Sequence, residues 1–193
     1  MIIDMHMHEM RYSGDSFLRL ENMVEIAKHR GLDGICITDH DSMGLKEFAA
    51  EYSEKTGFPI FVGIEFYSLQ GDIVAFGIED YPKERIPAQE FVDLVQAQGG
   101  MCFSAHPFRN NNRGLEENLK IVKGLDGIEV LNGSTLYEAN RKAAEYAAEL
   151  GLATVGSSDC HVPEKLGIYA TYFPREIRSV QELIRSVKRC ETL

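Results

Sequence analysis

The stretch Ile2–Met10, IIDMHMHEM, decides how the rest of the chain is read. A short apolar run enters a polar segment that places His6 and His8 two residues apart. On an extended strand, residues two apart point to the same face. Asp4 falls on that face as well. Two imidazoles and a carboxylate at one strand end can hold a metal ion, or they can form a solvated edge. The pattern of the remaining chain separates the two.

The chain has 193 residues, the size of one domain spanning 1–193 with room for a sizeable core. A hydrophobic content of 44% and a charged content of 26% are ordinary for a globular protein. No apolar run approaches the ~20 residues a membrane span requires. Charged and histidine residues stand where the apolar region of a signal peptide would sit. A cytoplasmic protein without a membrane partner is therefore expected. The net charge of −10, from 30 acidic and 20 basic residues, argues against long nucleic acid as a partner. Bound divalent cations would change that field locally. Cys36, Cys102, Cys160 and Cys190 form no C-x-x-C pair. Cys36 and Cys102 read as small buried hydrophobes of a reducing compartment.

Strand-like and helix-like segments alternate along the chain. Apolar residues recur at helical spacing from Leu18 to Arg30, and again in 42–57, where Ser42 is a possible N-cap. Further helices are expected over 87–100, 115–124, 134–151 and 179–189. Strands are expected over 32–38, 58–66, 72–78, 101–107, 125–132, 152–161 and 167–174. Such alternation predicts parallel strands with crossover helices, about seven units in all, as a closed barrel or an open doubly wound sheet.

Five of the six histidines fall at the C-terminal ends of predicted strands: His6, His8, His40, His106 and His161. Asp4, Asp39, Asp41, Glu65 and Asp159 mark the same places. In a barrel the loops after the strands open on one face, so residues scattered over the chain converge there. An open sheet gathers them only near a switch point. The even distribution favours barrel-like closure and a metal site. Mixed imidazole and carboxylate donors suit Zn, Mn or Fe, and the number of donors favours two or three ions. His29 lies near the end of the first helix, where it complements the helix dipole, and is set aside.

The motifs DMHMH at 4–8, ITDHD at 37–41, GIE at 63–65, AHP at 105–107 and SDCH at 158–161 resemble, in order, those of the polymerase and histidinol phosphatase (PHP) family. The segment 128–151 resembles the stand-alone phosphoesterases of that family. The resemblance implies an α/β fold, a single-domain distorted (β/α)7 barrel of TIM-barrel-like form, with up to three divalent ions. It places His6, His8, Glu65 and Asp159 on a first ion and Asp15, His40 and His161 on another. Glu65 bridges to a middle ion that also takes His106. One departure stands out. The histidine expected on the strand after Glu65 is missing, and Val74 or Ala75 occupies its place in DIVAFGI, 72–78.

The expected function is hydrolysis of a small phosphorylated substrate: a nucleotide, a sugar phosphate or a short oligonucleotide end. A hydroxide bridging two ions would be the nucleophile, because each ion lowers the pKa of bound water. Asp159 or His161 would protonate the leaving group. Asp4, Asp39 and Asp41 are placed as partners of the ligand imidazoles. Arg109, on the His106 loop, leads the candidates for the substrate phosphate, with Arg113, Lys165 and Asn132 beside it. The loop NNNRG, 110–114, is placed to cover the site. Two alternatives stand beside this reading: an exonuclease on longer RNA or DNA, and a metal-binding module without turnover. The oligomeric state is not legible.

Overall fold

The computed structural model describes residues 1–192. Among the described residues nine strands divide into two sheets. The first contains β1 (Ile2–Asp4), β2 (Gly34–Ile37), β3 (Ile60–Val62) and β9 (Thr171–Tyr172), in the order β3-β2-β1-β9. The second contains β4 (Ile64–Tyr67), β5 (Asp72–Phe76), β6 (Met101–Ser104), β7 (Gly127–Asn132) and β8 (Ala153–Ser157), in chain order. Five helices accompany them: α1 (Leu20–His29), α2 (Lys46–Thr56), α3 (Ala88–Ala97), α4 (Tyr137–Leu150) and α5 (Val180–Lys188).

Of the expected distorted (β/α)7 barrel, the mixed α/β character is present and a closed barrel is not. The hydrogen-bonded ladders do not join into one closed sheet, and β4–β5, β5–β6 and β1–β9 are antiparallel. The fold is a mixed α/β domain. The single strand expected over 58–66 breaks at Gly63, sending β3 to one sheet and β4 to the other. A Cβ at Gly63 would come within 2.7 Å of the Phe76 ring, so only glycine lets the chain pass so close to β5.

Isolated bridges sew the sheets together where the site lies. Met7 pairs with Cys160, and His40 with Glu65. At the first seam Asp159 N donates to His6 O at 2.9 Å and His8 N to Cys160 O at 3.2 Å. At the second, Glu65 N donates to Asp39 O at 3.2 Å and Asp41 N to Glu65 O at 2.9 Å. Residues far apart in sequence are thereby fixed side by side by backbone hydrogen bonds.

Beneath the seams Ile3, Met5, Val74, Phe76, Phe103 and Val155 belong to one buried cluster. Each such large side chain, removed from water, contributes about 1.5–3 kcal/mol. Helices cover the outside through amphipathic faces. In α1 the buried residues are Leu20, Met23, Val24 and Ala27, at helical spacing. Phe91 of α3 stacks on Phe66 of β4 with ring centroids 4.1 Å apart. Gly57 and Gly151 end α2 and α4 in the left-handed conformation that glycine adopts without penalty.

Three other local expectations change. Residues 115–124 form only a 3-10 turn at Glu116–Lys120. There the Asn118 side chain donates to Leu115 O, a local bond that competes with a regular helix. Ser42 does not cap α2, which starts at Lys46; its hydroxyl instead accepts from Gly44 N. The strand expected over 167–174 shrinks to two residues. Cys36, Cys102 and Cys160 are buried free thiols, and Cys190 is exposed.

Candidate metal centre

Each seam carries donors into one cleft of about 140 Å³, lined by Asp15, His40, Glu65, His106, Arg109 and Arg113, among others. His6 Nε2 and His8 Nε2 face each other at 3.1 Å. Glu65 Oε1 lies 3.4 Å from His6 Nε2, and Asp159 Oδ1 lies 3.2 Å from His8 Nε2. His106 Nε2 reaches Glu65 Oε1 at 2.8 Å. On the open side, Asp15 Oδ2 lies 3.3 Å from both His40 Nε2 and His161 Nε2. Every residue expected to hold metal is therefore in one cluster: His6, His8, Asp15, His40, Glu65, His106, Asp159 and His161.

Hydrogen bonds behind the rings set the tautomers. His6 Nδ1 lies 3.2 Å from the carboxylate Glu129 Oε1, so its proton sits on Nδ1. Ser13 Oγ gives its one proton to Asp39 Oδ1 at 2.8 Å and must accept from His8 Nδ1 at 3.2 Å. In the neutral rings both Nε2 atoms are then left with lone pairs, aimed at each other and at two carboxylates. Proton-free donors at this distance repel one another unless a cation lies between them. His40 Nδ1 and Glu65 Oε2 come to 2.7 Å, shielded from water, a pairing that needs a proton or a metal ion between them. The donor set fits divalent metal ions.

Without a cation, a proton serves instead. Burial opposes charge on His6, but the carboxylates of Asp159, Glu129 and Glu65 outweigh it and raise its pKa well above the usual value. Burial likewise opposes charge on His40, and Glu65 and Asp15 nevertheless raise it to about 9. Burial lowers His8 to about 4. Against burial, the imidazoles hold Glu65 and Asp159 well below the usual carboxylate range.

The backbone is strained at the same place. Asp41, His106 and Asp159 have φ of 49°, 28° and 48°. Such left-handed conformations are uncommon outside glycine and cluster at functional sites.

Partners of the ligand imidazoles differ from expectation. Asp4 accepts from Ser158 N at 2.9 Å and Gly167 N at 3.0 Å, tying two loops together. Asp41 accepts from Tyr67 N at 2.9 Å. Neither carboxylate touches an imidazole among the described residues. Asp39 acts on His8 only through Ser13. The direct partner is Glu129, fully buried on β7, which also accepts from His106 N at 2.6 Å and Asn132 Nδ2 at 2.9 Å. Its signal in the sequence is a lone charge inside the apolar strand GIEVLN. Asp72, fully buried on β5 and 3.6 Å from His106 Nε2, was also missed.

Arg109 enters the cleft and donates to Asn132 Oδ1 at 2.6 Å and to Asp159 Oδ2. Arg113 lines the same cleft. Asn132 is buried behind it, bridging Arg109, Glu129 and Asp159. Lys165 is not among the lining residues; its Nζ donates to Ser134 Oγ at 3.1 Å.

Histidines and carboxylates carried by both sheets thus meet in one cleft, with a donor set compatible with divalent metal ions. Residues 137–192 match the family model described as PHP-associated. An uncharacterized protein of Methanocaldococcus jannaschii is 28% identical over 140 residues, 67% of this chain and 80% of the relative. Three solved structures share the fold. A candidate metal-dependent phosphoesterase of Bifidobacterium adolescentis superposes with a TM-score of 0.75 at 19% identity, covering 96% of both chains. An amidohydrolase of Chromobacterium violaceum, solved with sulfate and no metal, gives 0.72 at 20% identity over 99% of this chain and 97% of its own. The lesion-specific endonuclease EndoQ of Pyrococcus furiosus gives 0.73 at 17% identity, over 97% of this chain and 56% of its own. No described helix is long and apolar enough to cross a membrane.

Proposed function

We propose that this protein is a metal-dependent phosphoesterase acting on a small phosphorylated substrate. The observation that carries the reading is the pair of facing Nε2 atoms of His6 and His8, 3.1 Å apart between Glu65 and Asp159. His6, His8, Glu65 and Asp159 would hold one divalent ion, and Asp15, His40 and His161 a second; Mn, Fe and Zn all suit this donor set. When bound, such ions lower the pKa of water and neutralise charge on phosphoryl oxygens.

The chain's own residues supply the rest. Arg109 presents planar donors to a phosphoryl oxygen from a position fixed by Asn132 and Thr135. Both Asp159 oxygens are committed, Oδ1 toward His8 and Oδ2 to Arg109 and Asn132, so neither is free to protonate a leaving group. His161 Nδ1 faces Asp159 O at 3.2 Å, which orients the ring toward the cleft.

The small cleft and the net charge of −10 favour a small substrate or a chain end over a long nucleic acid. The fold shared with the Pyrococcus endonuclease keeps a nuclease as the second reading. Hydrolysis of p-nitrophenyl phosphate, its diester and a labelled oligonucleotide, before and after metal removal, tests both. Turnover that falls steeply with salt on the oligonucleotide alone favours the nuclease. Metal binding without turnover on any of the three favours a non-catalytic module.

A further inference from the structure

The strand after Glu65 carries no histidine, and its geometry shows what takes that place. Val74 lies opposite Glu65 in the β4–β5 ladder and packs into the apolar cluster below the site. Asp72, two residues along on the same face, stands nearer the cleft, opposite Tyr67. Asp72, Glu65 and His106 bring one donor each within 4.8 Å of one another, the makings of a further cation site.

A positive charge already sits beside Asp72. Arg113 donates from Nε to Asp72 Oδ2 at 2.6 Å and from Nη2 to Oδ1 at 3.0 Å. The main chains are bonded as well, Asp72 N donating to Arg113 O at 2.7 Å. The guanidinium lies over the Tyr67 ring, 4.4 Å from its centroid. Close backbone packing seats the loop: Gly71 has a φ of +151°, and a Cβ there would come within 2.6 Å of the Gly114 carbonyl carbon. Arg113 is thus held by the fold rather than free in solvent.

We infer that Arg113, locked to Asp72, stands in for a third metal ion, so that the centre takes two ions and a fixed guanidinium. A bidentate pair engages both Asp72 oxygens and withdraws that carboxylate from metal binding. The guanidinium keeps its charge at any working pH, and the donors not spent on Asp72 are left for a phosphoryl oxygen of the substrate. The inference rests on the metal-centre reading above, and its test separates the two.

The protein is loaded with Mn(II), dialysed, and analysed for metal per chain. Two equivalents are expected in the wild type and in Arg113→Lys, and three in Arg113→Met, where Asp72 is released. The KM for p-nitrophenyl phosphate should rise at least about tenfold in Arg113→Met. Anomalous scattering from Mn-soaked wild-type crystals should show two peaks, neither at coordination distance from Asp72, a result that does not depend on how the variants fold. A third peak on Asp72 in the wild type, or two equivalents with an unchanged KM in Arg113→Met, overturns the inference. A wild type that binds no ion contradicts the metal centre itself.

Discussion

His6 Nδ1 and Glu129 Oε1 lie 3.2 Å apart, both fully buried, and this one contact sets the chemical state of the centre. It holds the ring proton on the far side from the cleft and leaves Nε2 free to bind a cation. Glu129→Gln keeps the shape and removes the charge. Metal affinity should fall about 10–100-fold, with the fold retained. Isothermal titration of the stripped variant with Mn(II), beside its far-ultraviolet circular dichroism, checks this. Unchanged affinity would remove Glu129 from the account.

His8→Ala removes a donor outright. Metal should be lost and turnover should fall by more than about 100-fold. The seam beside it is made by backbone, His8 N donating to Cys160 O, and so the fold should persist. Full activity in this variant would sink the assignment of the site.

The donors of the centre were legible in the sequence because each one interrupts an apolar strand at its end. His6, His8, His40, Glu65, His106, Asp159 and His161 could be read in this way. Glu129 and Asp72 lie within or at the start of their strands, where alternation allows a charge to face solvent, and the lone charge in GIEVLN does not by itself say which face it takes. Here His6 and His106 cover Glu129, Arg113 covers Asp72, and both carboxylates are fully buried. Ser13 was invisible for another reason: its role is to relay Asp39 to His8, a contact set only by the tertiary fold. Asp4 and Asp41 looked like ring partners from proximity in sequence, yet their oxygens go to backbone N–H groups. The alternation of elements was read correctly, but the antiparallel β4–β5–β6 segment and the break at Gly63 depend on packing that no local pattern reports.

Metal uptake should release protons. Metal-free His40 holds its proton up to about pH 9, and His6 also holds one above its usual range. The apparent affinity for Mn(II) should therefore rise between pH 6.5 and 9, by up to about two protons per site pair. For stability the sign is opposite in the metal-free protein. A histidine with a raised folded pKa stabilises fully below its unfolded value of 6.5, and the contribution is lost as pH rises through about 9. The Tm of stripped protein should fall over that window, while the Tm of loaded protein should not. Parallel Tm curves would contradict the proton-for-metal exchange.

Arg109→Ala should raise the KM for a phosphomonoester by roughly 10–100-fold, since a charge-assisted contact to the phosphoryl group is removed. Arg109→Lys should recover little, because an ammonium cannot reproduce the planar fork now fixed by Asn132 and Thr135. Steady-state kinetics of the two variants decide it. Full recovery by lysine would reduce Arg109 to a point charge.

The most direct measurement is turnover of p-nitrophenyl phosphate by chelator-stripped protein as Mn(II) is added back stoichiometrically. The stripped protein should show no turnover, and activity should be full at two equivalents per chain. Equal turnover with and without metal, or two bound equivalents with no turnover on the monoester or its diester, would contradict this expectation.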